Sequence, residues 1–152
     1  MKVKLAMQRA SAASWLPARA EVKRWAAAAL KGRRKQAGLS LRIIDEAESA
    51  DLNGRYRGKA GPTNVLSFPF EPPPGLPDPQ PFIGDLAICA PVVAREALEQ
   101  GKSLEAHWAH LVIHGILHLL GHDHLEEAEA REMEALETRI LEDLGFPAPY
   151  EA

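Results

Sequence analysis

All six histidines of this 152-residue chain lie between His107 and His124. At the centre of this segment, His114 and His118 are four residues apart, so a helix places them on one face, one turn apart. Gly121 follows three residues later and can end the helix in a left-handed turn, after which the chain can bring His124 toward the same point. Three imidazoles in this arrangement predict a catalytic zinc site with one ion per chain, whose fourth position stays open to water or substrate. Nickel, cobalt or copper would also bind such a set of ligands.

The other three histidines exceed what a three-ligand site needs. His107 and His110 continue the stripe of His114 and His118 at spacings of three and four residues. His110 is predicted either to support a ligand from behind or to fill the core, and His122 is expected to be exposed in the turn. A lone histidine on such a face would usually be a core residue, but three histidines at this spacing are hard to explain by packing.

The spacing matches the long zinc-protease signature H-E-x-x-H-x-x-G-x-x-H except at Gly115, where the proteases have a glutamate. A zinc peptidase needs that carboxylate to move a proton from the bound water to the leaving amine. Gly115 therefore argues against peptide hydrolysis, and less strongly against phosphodiester cleavage, where a metal can act by its charge. Three neutral imidazoles leave the full charge of +2 on the ion, which favours a negatively charged substrate.

The bulk composition is that of a soluble globular protein, with 46% hydrophobic and 26% charged residues. It predicts one domain over residues 1–152 with a substantial core. Residues 1–60 carry 14 basic and five acidic side chains, a balance of +9, whereas residues 61–152 carry four and 16, a balance of −12. The basic half either forms a groove for a polyanion or consists of solvated helix faces that the acidic half balances.

The location of the protein is predicted from what the chain lacks. Its single cysteine, Cys89, excludes an internal disulfide and fits a reducing compartment. There is no run of 18 apolar residues that would predict a membrane span. Gln8 and Arg9 interrupt the apolar character of the first segment, so we expect it to belong to the mature protein. These features predict a cytoplasmic location.

Hydrophobic periodicity and turn residues predict an α+β fold. Strands are expected at residues 2–8, 39–45, 64–68 and 82–89. Helices are expected from Pro17 to about Ala37, over a short segment carrying Leu52, Tyr56 and Arg57, from Pro91 to Gly101, from Ser103 to about Leu120, and from about Glu126 to Leu144. The proline-rich residues 69–81 predict an extended surface loop.

Three segments of the chain together resemble one known family. The run His114-Gly-x-Leu-His118-Leu-x-Gly121-x-Asp123-His124 resembles the signature of the YbeY family of metal-dependent endoribonucleases, also called rRNA maturation factors. Residues 52–59 and 62–69 are similar to the central block of the family, and residues 84–89 resemble its following strand. The resemblance is colinear with the family over about half of the chain.

The resemblance implies a single domain with a mixed four-stranded sheet and five to six helices, and zinc bound by His114, His118 and His124. It implies action on single-stranded RNA, in maturation of the small-subunit rRNA 3′ end and in ribosome quality control. The implied partners are rRNA and the ribosome or ribosomal proteins, with no membrane or DNA partner expected. Arg57 is implied to lie near the metal, where a guanidinium can hold a phosphate bidentately and stabilise developing charge. A surface salt bridge is the alternative role for Arg57.

The chain departs from the family pattern at two positions. His122 stands where the family usually has a tyrosine and could compete as a metal ligand, and Ala60 stands where the family has an acid, which puts a role for an acid there in doubt. The rival function is a ribosome-associated RNA-binding module with a structural zinc. A fourth protein ligand, such as His122 or Cys89, would favour that rival, because structural zinc usually has four. A zinc peptidase is the third alternative.

Overall fold

The computed structural model describes residues 2–77, 80–122 and 126–150. Within these ranges it contains four strands in one mixed sheet and five helices. The strands are β1 (Lys2–Arg9), β2 (Gln36–Ile44), β3 (Val65–Pro69) and β4 (Phe82–Cys89). The helices are α1 (Arg19–Leu30), α2 (Glu46–Arg57), α3 (Ala90–Gln100), α4 (Leu104–Leu119) and α5 (Glu127–Asp143). The predicted α+β fold, a single domain with a mixed four-stranded sheet, is confirmed.

The strand order in the sheet is β1-β2-β4-β3. The first three of these strands are parallel to one another, and β3 runs antiparallel to β4. Parallel neighbours need a crossover between them, and α1 provides it between β1 and β2. This order places β3 at one edge of the sheet, where it contacts the histidine-bearing helix α4.

The main hydrophobic core lies between α1, α4 and α5 and one face of the sheet. Its members include the fully buried side chains of Trp25, Leu41, Ile88, Trp108 and Ile113. Helix α4 lies at the centre of this core, and 11 of its 16 residues are buried. A helix held on so many sides gives rigid positions to the histidines that it carries.

Helix α2 covers part of the opposite face of the sheet. A smaller apolar cluster there contains Ile44, Leu66, Ala87 and Cys89, with Leu52 of α2 packed against it. Burial of these side chains holds α2 over β3 and β4. The C-terminal end of α2, where Arg57 lies, is thereby placed beside the edge strand β3.

The first helix is shorter than its periodicity predicts. It ends at Leu30, and the prediction that it continues to Ala37 is wrong, because β2 begins at Gln36. Gly32, with a φ of 78°, adopts a left-handed conformation just after the end of the helix. Ala37 pairs with a β1 residue in the parallel ladder, so the hydrogen bonds of the sheet override the local preference for helix.

The remaining elements lie close to their predicted positions. Strand β4 (Phe82–Cys89) begins and ends as expected, and the described part of the proline-rich stretch, residues 70–77 and 80–81, contains neither helix nor strand. None of the helices in the described residues combines the length and apolar character needed to cross a bilayer.

Candidate metal centre

Helix α4 ends in the turn that its glycine predicts. Gly121 has a φ of 99°, a left-handed conformation that glycine adopts without strain. Its N–H donates to the carbonyl of His118 at 3.0 Å, and the N–H of His122 donates to the carbonyl of Leu117 at 3.0 Å, the pair of bonds of a Schellman motif. His122 is exposed, as predicted. His124 lies outside the described residues, so its position near the other histidines remains a prediction.

His114 and His118 face each other through their Nε2 atoms, which are 3.2 Å apart. Their rings meet nearly edge to face, with centroids 4.7 Å apart. Zinc binds imidazole nitrogen at about 2.0–2.1 Å, so two ligands on one tetrahedral ion are about 3.3 Å apart. The separation of the two Nε2 atoms therefore fits two corners of a zinc site.

A buried carboxylate holds the other side of His114. Glu137, on α5, is fully buried, and its Oε2 lies 2.8 Å from Nδ1 of His114. The Oε1 atom of Glu137 lies 2.6 Å from Nε2 of His110 and 2.5 Å from the hydroxyl of Tyr150. One carboxylate therefore joins two histidines of α4 to the C-terminal segment of the chain.

The hydrogen bonds that Glu137 accepts favour the ionised form of its carboxylate. Burial raises the pKa of Glu137, but hydrogen bonds from His110, His114 and Tyr150 outweigh burial and lower that pKa to about 2. Burial and the neighbouring Glu137 raise the pKa of the Tyr150 hydroxyl. Because an ionised carboxylate only accepts hydrogen bonds, Nδ1 of His114 is the donor in its contact with Glu137. This leaves Nε2, which faces His118, as the nitrogen of His114 that can bind a metal.

His110, His114 and Glu137 also form a group that could hold a metal ion, since their ligand atoms lie within 4.8 Å of one another. The contacts of the carboxylate with the two rings, at 2.6 and 2.8 Å, have the length of hydrogen bonds. They are shorter than the separation of about 3.3 Å between ligands of one tetrahedral zinc. His110 is buried and contacts Glu137, so its two predicted roles, support of a ligand and filling of the core, both stay predictions.

A cavity of about 720 Å³ brings Arg57 together with His114, His118 and His122. Nη2 of Arg57 donates a hydrogen bond of 2.9 Å to the carbonyl oxygen of Ser67 on β3. A guanidinium has five N–H donors, so this contact leaves donors for an anion in the cavity. Cys89 lies instead in the cluster beneath α2 and does not line this cavity.

The packing of α4 against the sheet favours glycine at position 115. A Cβ atom on Gly115 would lie 2.7 Å from Cδ2 of Leu86 and 3.4 Å from Oγ of Ser67. A glutamate at this point of α4 would therefore have to displace the end of the Leu86 side chain. Among the described residues, no aspartate or glutamate lines the cavity, so no carboxylate there takes the place of the protease base.

Glu137 and Tyr150 are site residues that the sequence did not predict. The signal for Glu137 lay in its spacing, because it occurs with Met133, Ile140 and Leu141 on the buried face of α5. A glutamate at a core position needs a partner, and the histidine stripe was the available one. Nothing in the local sequence indicates the contact of Tyr150.

The fold and the site define an α+β protein with a histidine-rich candidate metal centre beside an anchored arginine. A family model described as Endoribonuclease YbeY matches residues 8–145. A protein of Nitrosococcus oceani named Endoribonuclease YbeY is 53% identical over 152 residues, which are all of this chain and 99% of that protein. The chain belongs to the YbeY family. The solution structure of TM1509 from Thermotoga maritima, 23% identical with a TM-score of 0.64 over 99% of both chains, supports the fold.

Proposed function

We propose that this protein is a zinc-dependent endoribonuclease that cleaves single-stranded RNA. In this proposal it is a cytoplasmic protein of one domain that matures the 3′ end of small-subunit rRNA and serves ribosome quality control. The observation that carries the proposal is the shared cavity of Arg57, His114 and His118 in a member of this family. The name of the family and of the Nitrosococcus oceani relative supports the endoribonuclease activity.

His114, His118 and His124 would hold one zinc ion. Two contacts support this set over the group that includes Glu137: the separation of 3.2 Å between the first two Nε2 atoms, and the hydrogen bond of Nδ1 of His114 to Glu137. A bound zinc supplies Lewis-acid chemistry for a phosphate oxygen or an attacking water.

Arg57 would bind the scissile phosphate and stabilise the negative charge that develops on it. Its bond to Ser67 holds the guanidinium at the cavity, so little reorientation is needed when RNA binds. Lys59 also lines the cavity and adds positive charge. A cavity that has cations and no carboxylate among its described residues fits a phosphodiester better than a peptide.

The cations of the first 60 residues would contribute unequally to RNA binding. Arg42 is paired with Glu48, and Arg55 with Asp51. A second concave surface of about 590 Å³ lies at the β1 edge of the sheet, and no acidic side chain of the described residues lines it. Four other cations do: Lys2, Lys4, Arg19 and Lys23. These four are candidates, in addition to Arg57 and Lys59, to contact the phosphates of a single strand.

The test pairs zinc content with RNA cleavage on the purified protein and on Arg57→Ala. We expect about one zinc per chain in both proteins, and cleavage of single-stranded RNA by the unaltered protein alone. Chelation should abolish cleavage, and added zinc should restore it. If both proteins hold zinc and neither cuts RNA after reloading, the rival function, an RNA-binding module with a structural zinc, replaces the proposal.

A further inference from the structure

Glu137 is the most deeply buried ionisable group of the candidate centre. Its side chain has no exposed surface, and it does not line the cavity of Arg57 and His114. It therefore cannot touch a substrate in that cavity. Its neighbours on the same face of α5, Met133, Ile140 and Leu141, are buried and apolar. A carboxylate in this position must be stabilised by specific partners, because burying an unpaired charge is costly.

We propose that Glu137 is a positioning residue that orients His114 for the metal, and that His110 and Tyr150 hold its carboxylate in place. The inference rests on the proposed function, since it concerns the same metal site. It adds α5 and the C-terminal segment to the elements on which metal affinity depends.

The two carboxylate oxygens of Glu137 have different partners, and Oε2 contacts His114. Nδ1 of His114 donates a hydrogen bond of 2.8 Å to Oε2, which fixes the orientation of the imidazole ring. Nε2 of the same ring then faces His118 at 3.2 Å. A carboxylate that accepts a hydrogen bond from one nitrogen of a ligand histidine also makes the other nitrogen more basic, and therefore a better metal ligand.

The second oxygen holds the carboxylate itself. Oε1 receives hydrogen bonds from Nε2 of His110 at 2.6 Å and from the hydroxyl of Tyr150 at 2.5 Å. These two donors come from α4 and from the segment that follows α5, so Glu137 is held from two sides. Loss of either donor should loosen Glu137 and, through it, His114.

The experiment compares Glu137→Gln and Glu132→Gln with the unaltered protein. Competition with a chromophoric chelator measures the zinc affinity, and the visible spectrum of the cobalt-loaded protein reports the geometry of the metal site. Glu132 is an exposed residue of the same helix and serves as the matched control. We expect zinc binding by Glu137→Gln to be about 10–100-fold weaker, with an altered cobalt spectrum and unchanged far-ultraviolet circular dichroism. Glu132→Gln should match the unaltered protein in all three measurements.

Tyr150→Phe removes one donor to the carboxylate and leaves Glu137 in the chain. It should weaken zinc binding in the same direction by a smaller factor, and it provides the comparison if Glu137→Gln fails to fold. Equal zinc affinity of the unaltered protein and of both variants would overturn the inference while leaving the proposed function intact. Absence of zinc binding by the unaltered protein would overturn both.

Two further variants separate positioning from direct ligation. If Glu137 positions His114, His118→Ala should abolish tight zinc binding and His110→Ala should only weaken it. If the metal instead sits among His110, His114 and Glu137, the order of the two effects reverses, and the positioning role is overturned.

Discussion

Arg57 is tied to β3 by the hydrogen bond of 2.9 Å from its Nη2 to the carbonyl oxygen of Ser67. The hydroxyl of Ser67 in turn donates to the carbonyl of Gly115 on α4 at 3.4 Å. Ser67 therefore connects the arginine at the end of α2 to the helix that carries His114 and His118. The cation and the candidate metal ligands are held together by an edge strand.

Replacing Arg57 is expected to slow cleavage without loss of metal. Arg57→Ala should lower kcat by about 100-fold or more, because a donor that stabilises transition-state charge is lost, with zinc content unchanged. Arg57→Lys should recover part of the rate, since lysine keeps the charge and loses the bidentate geometry. Single-turnover cleavage and metal analysis measure both effects.

Arg55 offers the control for this prediction. It lies on the same helix, is exposed, and is paired with Asp51 at 3.6 Å. Arg55→Ala should leave kcat within about twofold, as expected for an exposed pair that contributes little. Equal losses in the Arg55 and Arg57 variants would contradict a specific role for Arg57.

The two helical glycines Gly115 and Gly54 should respond to alanine in opposite directions. At Gly115 the new methyl would lie 2.7 Å from Cδ2 of Leu86, and overpacking costs about 1–3 kcal/mol. Alanine also gains about 1 kcal/mol of helix propensity over glycine, so we expect Gly115→Ala to lower the free energy of unfolding by about 1 kcal/mol.

Gly54 is exposed on α2, and a Cβ atom there would lie 3.9 Å from the nearest atom. Gly54→Ala should therefore raise the free energy of unfolding by up to about 1 kcal/mol. Urea unfolding measures both, and a stabilised Gly115→Ala protein would show that the α4–sheet contact is loose.

The β1-edge cations should control the salt dependence of RNA binding. We expect the double variant Lys4→Gln with Lys23→Gln to reduce the slope of log affinity against log salt concentration by about 1.4. Each phosphate contact on a single strand contributes about 0.7 to that slope, and two contacts are removed. Zinc content and kcat at saturating RNA should not change. The matched control removes two exposed cations of α5, Arg131 and Arg139. An equal change of slope in both double variants would indicate only a response to net charge.

Asp45 should make the stability of the protein sensitive to acid. A hydrogen bond from the Ser11 hydroxyl, and another from the N–H of Ala12, lower the pKa of Asp45 in the folded state. The unfolded chain, whose aspartates have a pKa of about 3.9, therefore takes up the proton first as pH falls. The stabilisation is present above that pH and is lost as pH falls through the lower, folded value.

Ser11→Ala tests this dependence on pH. It should lower the urea midpoint at pH 7 and have a smaller effect at pH 3, whereas Ser11→Thr, which keeps the hydroxyl, should behave like the unaltered protein. A difference between Ser11→Ala and the unaltered protein that is the same at both pH values would exclude the contribution of Asp45.

The features of the site that depend on residues close together in the sequence could be predicted. Two histidines four residues apart share a helix face whatever the rest of the chain does, and Gly121 ends that helix because few other residues adopt its φ of 99°. The absence of a protease-type base at Gly115 is likewise visible in the chain itself. The strands could be placed by their alternation. The resemblance of the central block predicts Arg57 near the metal, and Arg57 shares a cavity with His114 and His118.

Other features depend on how distant elements pack. Glu137 meets His114 across 23 residues of chain, and Tyr150 meets Glu137 across 13 more. The length of α1 was mispredicted because the hydrogen bonds of β2 to β1 begin at Gln36, and a local helix pattern contains no information about that pairing. The periodic histidine face, the turn at its end and the chemistry of the candidate ligands could be read from the chain alone, since they follow from local backbone geometry and residue type. The buried acid beside His114 and the strand that anchors Arg57 emerge only in the folded protein, because those contacts arise from the order of the strands and the packing of α2, α4 and α5.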